Sequence, residues 1–181
     1  EENGAAMISV LTDQVFFKGD LDYLREISSQ VTIPTLAKDF VIDEKQIVRS
    51  RNAGATVILL IVAALPEARL KELYDFATGL GLEVLVETHN LAELEIAHRI
   101  GADIIGVNNR NLVTFETDLN ISLELSAHFK DQPAYISESA IFNGEDAALV
   151  APYFNGILVG TALMTAGDVA EKVKELQIDK G

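Results

Sequence analysis

Seven times along this chain a short apolar, β-branched run is followed by a stretch of helical period. The repeat length of about 22 to 28 residues leaves few architectures open. The strand-like runs are 7–12, 34–40, 56–62, 83–87, 103–108, 134–139 and 156–160. The spacing predicts helices over 20–29, with Leu21, Leu24 and Ile27 on one face, and over 43–52, 66–80, 91–100, 119–129, 145–152 and 169–176. Pro66 opens one of these helices, and Gly54, Gly81 and Gly101 close three of them. No two runs are joined by a hairpin signal. Continuous apolar strands alternating with helices describe a parallel sheet buried on both faces. Of the two folds that meet this description, the doubly wound sheet is disfavoured, because no Gly-x-Gly-x-x-Gly follows the first strand and seven near-equal units are too many. The expectation is an α/β chain folded as a (β/α)₈ TIM barrel with seven of its eight βα units, a single domain over 1–181. Residues 1–6 read as a helix end and a turn, so a strand and most of a helix are expected upstream, and the chain reads as N-terminally truncated.

The 181 residues suffice for a core that buries roughly 70% of the unfolded surface. With no cysteine there is neither a disulfide framework nor a thiolate metal site. The apolar stretch 56–65 is too short to span a bilayer, and no basic segment precedes an apolar one at the N-terminus, so a soluble cytoplasmic protein is expected. Fourteen basic against 28 acidic residues give a net charge of −14, which repels nucleic acid and anionic membranes. Any phosphate it binds must be held by local geometry.

Active sites of parallel barrels are built from the C-terminal ends of the strands, and here polar residues close the apolar runs. Lys38 ends the second strand, Glu87 the fourth, Asn108 and Arg110 the fifth, Glu138 and Ser139 the sixth, and Gly160 and Thr161 the seventh. Each has a plainer reading: a solvated charge for Lys38, turn residues at Asn108 and Asn109, a salt-bridge partner in Arg110, a tight turn and cap at Gly160 and Thr161. Their convergence on one mouth is the stronger signal. Of the three histidines, His98 and His128 fall on helices and read as solvated, and only His89 follows a strand. No His/carboxylate spacing suggests a metal site. After the last two strands, small residues at 139–141 and 160–162 let backbone amides approach an anion, so Ala140, Gly160 and Thr161 are the candidate phosphate site.

With these residues in hand, the sequence resembles the indole-3-glycerol-phosphate synthase family. The resemblance rests on segments 6–12, 33–40 (Ile-Pro-Thr-Leu-Ala-Lys-Asp-Phe), 86–89, 105–112 (Ile-Gly-Val-Asn-Asn-Arg-Asn-Leu), 137–139 and 158–164, in family order from end to end. It implies a ribulose-phosphate-binding barrel that needs no cofactor. Its reaction would close 1-(2-carboxyphenylamino)-1-deoxyribulose 5-phosphate to indole-3-glycerol phosphate with loss of CO₂ and water, as a carboxy-lyase of tryptophan biosynthesis. By the resemblance Lys38 is the general acid, Glu87 the base in the dehydration, and Asn108 and Glu138 orient hydroxyls and Lys38. Arg110 meets the anthranilate carboxylate, Ser139 contacts substrate, and Phe17, Phe40 and Leu112 form the slot for the ring. The sequence departs from the family at Ala140, where glycine is usual, at Ala162, where serine is usual, and in lacking the family's N-terminal Glu-x-Lys and Ser-Pro motifs. Ala140 fits that position only if its φ is negative.

Two alternatives stand beside this reading: another phosphate-binding barrel enzyme of tryptophan or histidine biosynthesis, and a catalytically silent barrel fragment serving assembly. Lys38 argues against the first. For partners, the expectation is a phosphorylated small molecule, no nucleic acid and no membrane, with a monomer if complete and association through open strand edges if truncated.

Overall fold

The computed structural model describes residues 1–177. Seven strands, β1 (Ile8–Leu11), β2 (Thr35–Lys38), β3 (Val57–Ile61), β4 (Glu83–Thr88), β5 (Ile104–Asn108), β6 (Ala134–Glu138) and β7 (Gly156–Leu158), pair in chain order and all in parallel. Helices α1 (Leu21–Ser28), α2 (Glu44–Asn52), α3 (Glu67–Gly79), α4 (Leu91–Arg99), α5 (Asn120–Ser126) and α6 (Gly144–Val150) connect them, and α7 (Thr161–Met164) and α8 (Val169–Leu176) follow β7.

The helix starts are specified locally. Asp20, Asp43, Asn90, Asn143 and Asp168 each stand one residue before a helix, with a side-chain oxygen accepting from a backbone N–H of its first turn. Gly54 ends α2 at φ +102°, where a Cβ would lie 2.1 Å from Ser28 Oγ, so the turn requires glycine twice over.

Strand alternation sorts the apolar residues into two layers. Val10, Ala37, Ile58, Leu60, Val84, Val86, Ile105 and Val107 meet Leu24, Ile47, Leu70, Leu73 and Leu94 of the helices. Leu36, Val57, Leu59, Ile61 and Leu85 fill the inside of the curved sheet, with Phe40, Ile104, Ile136 and Leu158 packed on them.

The register is staggered. Leu36, Val57 and Glu83 lie level across β2, β3 and β4, and Glu87, Gly106 and Ile136 lie level across β4, β5 and β6. Lys38 is two residues past Leu36 while Glu87 is four past Glu83, and Glu138 is two past Ile136. Each functional side chain thus sits two residues further along than its predecessor two strands away, about one residue per strand, the shear of an eight-stranded barrel. In a tilted, curved sheet this offset brings the three to one height.

The expected units are all present, with six strands one to three residues shorter than the apolar runs, β4 one residue longer, and two short elements unforeseen, a 3₁₀ turn at Val62–Ala64 and α7. His98, expected to be solvated, is half-buried, its Nε2 2.9 Å from the Tyr135 hydroxyl. Among the described residues β1 pairs only with β2 and β7 only with β6. A stagger suited to eight strands leaves a seven-stranded arc open. The helical layer reaches further round, since Gln177 Nε2, just past α8, donates to the Asn3 carbonyl at 2.8 Å.

Candidate active site

At the C-terminal ends of the strands, the Lys38 ammonium stands between two buried carboxylates, 3.5 Å from Glu87 Oε2 and 3.7 Å from Glu138 Oε2. The carboxylates are 2% and 1% exposed, against 17% for the Lys38 side chain, so the charges face one another at the edge of the core and not across bulk water. Asn108 completes the group from β5, buried, its Oδ1 accepting the Arg110 N–H at 3.0 Å.

Gly106 makes room for this arrangement. It lies inward on β5, and a Cβ there would fall 1.9 Å from Glu138 Oε1. Neither Glu138 oxygen has a hydrogen-bond partner. Burial, reinforced by the charge of Glu87, pushes the Glu138 carboxyl well above the ordinary range, and Lys38 only partly offsets it. Burial also works against ionised Glu87, but contact with His89, the charge of Lys38 and the Asn108 amide outweigh it and hold Glu87 well below that range. Burial would neutralise Lys38, yet Glu138 and Glu87 together raise its pKa. The site thus holds a retained ammonium, an ionised carboxylate and a carboxyl that keeps its proton.

Phe17 and Phe40 stack at 4.8 Å between centroids, with Phe16 edge-on to Phe40 at 5.3 Å, and Lys38 Nζ lies 5.8 Å from the Phe17 centroid. Two of the three expected slot residues are therefore together beside Lys38. Leu112 is instead 40% exposed on the loop between β5 and α5, and Arg110 Nη1 on the same loop donates to the Phe115 carbonyl at 3.1 Å. On the other side, Ser139 and Ala140 carry φ of +63° and +61°. The condition of negative φ at Ala140 is not met: the chain turns through the left-handed region here with a methyl group in place. The Ser139 amide already donates to the Leu158 carbonyl at 3.4 Å, tying the 139–141 turn to the end of β7. Gly160 and Thr161 are exposed at the start of α7.

Two residues weigh more than the sequence reading gave them. His89 lies one residue beyond β4, Nε2 3.1 Å from Glu87 Oε1 and Nδ1 3.0 Å from Glu93 Oε2; its place just after a strand and its i, i+2 spacing from Glu87 are the signals it leaves in the sequence. Asn109, next to Asn108 but fully buried, donates to Ser137 Oγ and the Glu138 and Ser139 carbonyls, and accepts from Ser122 N, so it pins the end of β6 to α5. Among the described residues no group of three His, Cys, Asp or Glu side chains is disposed to hold a metal ion, and no helix is long and apolar enough to cross a membrane.

Two crystal structures of 3-hexulose-6-phosphate synthase, one from Salmonella typhimurium, superpose with TM-scores of 0.78 and 0.77. They cover 93% and 97% of this chain and 84% and 86% of theirs, at 14% and 15% identity, a likeness of fold alone. Sequence relatives lie far closer. Over all 181 residues the chain is 88% identical to an indole-3-glycerol phosphate synthase of Streptococcus thermophilus, 83% to that of Streptococcus sanguinis and 78% to that of Streptococcus pneumoniae, spanning 71% of each relative's length. The sequence model of indole-3-glycerol phosphate synthase matches residues 1–176, and the chain belongs to that family.

Proposed function

We propose that this chain carries the ring-closing chemistry of an indole-3-glycerol phosphate synthase, a carboxy-lyase of tryptophan biosynthesis, with the roles divided among the residues of the barrel mouth. The substrate is 1-(2-carboxyphenylamino)-1-deoxyribulose 5-phosphate, and the products are indole-3-glycerol phosphate, CO₂ and water. The observation that carries the reading is the Lys38 ammonium within 3.7 Å of both buried carboxylates.

Ring closure puts negative charge on the ketone oxygen as the aromatic carbon attacks. Lys38, kept protonated by ionised Glu87 beside it, stabilises that charge and donates the proton. Once Lys38 is neutral, Glu87 has lost the cation at its Oε2 and its basicity rises; in the dehydration it takes a proton from the carbon beside the ring nitrogen as the hydroxyl leaves, and the departing oxygen takes its second proton from solvent to leave as water. Asn108 and protonated Glu138 orient the substrate hydroxyls and Lys38. Phe17 and Phe40 receive the ring, with Leu112 closing the slot from its loop, and Arg110 meets the carboxylate that leaves as CO₂. A loose hold suits that task, since tight binding of a leaving group favours the ground state. Ser139 contacts substrate, and the backbone at Ala140, Gly160 and Thr161 receives the phosphate, which reconciles an anionic ligand with a net charge of −14. The reading needs no cofactor and takes the protein to be a cytoplasmic enzyme acting on a small phosphorylated molecule.

Replacing Lys38 by Met in the active enzyme tests this. The kcat for indole-3-glycerol phosphate formation, followed by product fluorescence, falls by about 10²–10⁴. A variant that keeps a third of the turnover removes Lys38 from the mechanism.

A further inference from the structure

His89 has a carboxylate at each end of its ring. Glu93 Oε2 lies 3.0 Å from Nδ1, and Glu87 Oε1 lies 3.1 Å from Nε2. The ring is held from both directions. Glu93 is the third residue of α4, and its Oε2 also accepts the His89 backbone N–H at 2.8 Å, while its Oε1 accepts from the Asn90 amide at 2.8 Å. Asn90 in turn caps α4 by accepting from Glu93 N at 3.0 Å. The N-terminal cap of a helix thus fixes a carboxylate, the carboxylate fixes an imidazole, and the imidazole faces Glu87.

A neutral imidazole has one N–H. With that proton on Nδ1 toward Glu93, Nε2 would turn a lone pair on the Glu87 carboxylate, and the contact would be repulsive. The other tautomer would set the Nδ1 lone pair against Glu93, which the His89 backbone N–H and the Asn90 amide hold ionised, so either the ring carries both protons or Glu87 carries one. Lys38 decides between them, since its ammonium stands 3.5 Å from the other Glu87 oxygen and favours the ionised carboxylate. The chain therefore reads Glu93 anion, His89 cation, Glu87 anion, Lys38 cation. With Glu138 protonated the five groups sum to zero, a balance that burial favours. The Nε2 contact is an ion pair and not an aligned hydrogen bond, which leaves Glu87 free to take a proton from elsewhere.

We infer that His89 and Glu93 are positioning residues for the reaction, a cation and its anchor that hold Glu87 ionised and aimed at the substrate until Lys38 gives up its proton. This deepens the functional reading above and rests on its assignment of Glu87 as the base. The direction of the His89 pKa agrees: burial pulls it down, but Glu87 and Glu93 overcome burial and raise it to about 9. The titratable groups facing the ring are Glu87 from β4 and Glu93 from α4, with Lys38 of β2 and Glu138 of β6 beyond Glu87.

Two measurements test the inference. Long-range ¹H–¹⁵N spectra of this chain report the His89 ring directly, without need of activity. Both nitrogens should be protonated at pH 7.5, and Glu93→Gln should lower the titration midpoint by about one pH unit or more. A ring neutral at pH 7.5, or a midpoint unmoved by Glu93→Gln, overturns the proposal. In the active enzyme, Glu93→Gln should reduce kcat about tenfold, leave KM within about twofold, and move the acid limb of the kcat profile to higher pH as Glu87 loses its cation. His89→Gln should do the same, whereas a merely structural role would leave the limb in place. Profiles that superimpose on the parent also overturn it. Should Glu87→Gln keep full kcat while the His89 spectrum is as expected, the base assignment falls, and with it the positioning role, leaving the ion chain as a structural device.

Discussion

Ser139 and Ala140 hold φ of +63° and +61° in succession at the end of β6, a conformation that costs a side-chain-bearing residue about 1–2 kcal/mol. Asn109 and the Leu158 carbonyl fix the turn from either side, so it cannot relax without loosening β6. Ala140→Gly removes the strained methyl at the price of a more flexible unfolded chain. The net expected gain is about 0.5–1 kcal/mol, read as a higher urea midpoint with unchanged slope. An unchanged or lower midpoint would mean that the Ala140 methyl makes packing contacts worth more than the strain. Glu138 makes a second prediction at this scale. Raised to about 8 by burial and then by Glu87, it keeps its proton in the fold while the unfolded chain, with an ordinary value of 4.5, has lost it. Stability therefore falls as pH rises from about 4.5 to about 8. His89 adds to the fall: its raised pKa gives stabilisation that is complete below 6.5 and is lost as pH rises through about 9. The urea midpoint of the parent chain should decline from pH 5 to pH 8.5, and Glu138→Gln should flatten that decline. A parent midpoint that rises over this range would contradict both assignments.

At the scale of elements, β5 shows how a strand can serve a site through what it omits. Its inward positions are Ile104, Gly106 and Asn108, and the glycine leaves the space that the Glu138 carboxyl occupies. Gly106→Ala would drive a Cβ to 1.9 Å from Glu138 Oε1, so Glu138 must leave Lys38 or the strand must shift. Overpacking of this kind costs about 1–3 kcal/mol. The expected outcome is a lowered urea midpoint together with a loss of turnover larger than the loss of folded protein at the assay temperature. Full turnover would show that Glu138 has another rotamer open to it. An isolated glycine in an apolar run already hints at close approach, but which side chain approaches depends on β5–β6 register, and no residue pattern states that register. The same limit explains what was legible. Lys38, Glu87, Asn108 and Glu138 could be read as rim residues because each closes an apolar run. Their meeting could not, because it arises from a stagger accumulated over five strands. His89 sits one residue beyond its strand and takes its orientation from a helix cap, so neither period marks it. Arg110 and Leu112 lie on a loop whose course is set by an Arg110–Thr117 bridge and a positive φ at Phe115, features with no periodic signature.

At the scale of the whole molecule, the described residues form an arc of strands with two free edges. Among the described residues β1 and β7 each have a hydrogen-bonded neighbour on one side only, and apart from Ser9 and Gly156 the residues along them are apolar. Met7 and Leu11 are 36% and 41% exposed, and Ser9 Oγ is buried without a hydrogen-bond partner. Such edges are templates for another strand, and neither carries the Lys, Pro or bulge that blunts an exposed edge. We therefore expect a polypeptide of these 181 residues, examined by sedimentation velocity, to associate reversibly with rising concentration, through pairing at these edges. Paired Met7→Lys and Leu11→Lys substitutions should weaken the association, because a charge on an edge strand must be desolvated when a second strand docks. Lysine substitutions at Tyr153 and Val169, exposed apolar residues outside the strands, should leave it unaltered. If the edges are the cause, association and turnover are linked, because a strand docked beside β1 lies next to Leu11, the register partner of Lys38. A monodisperse species over a hundredfold range of concentration, turning over substrate at a rate that does not depend on concentration, would mean that the edges are satisfied within the chain and that the arc closes.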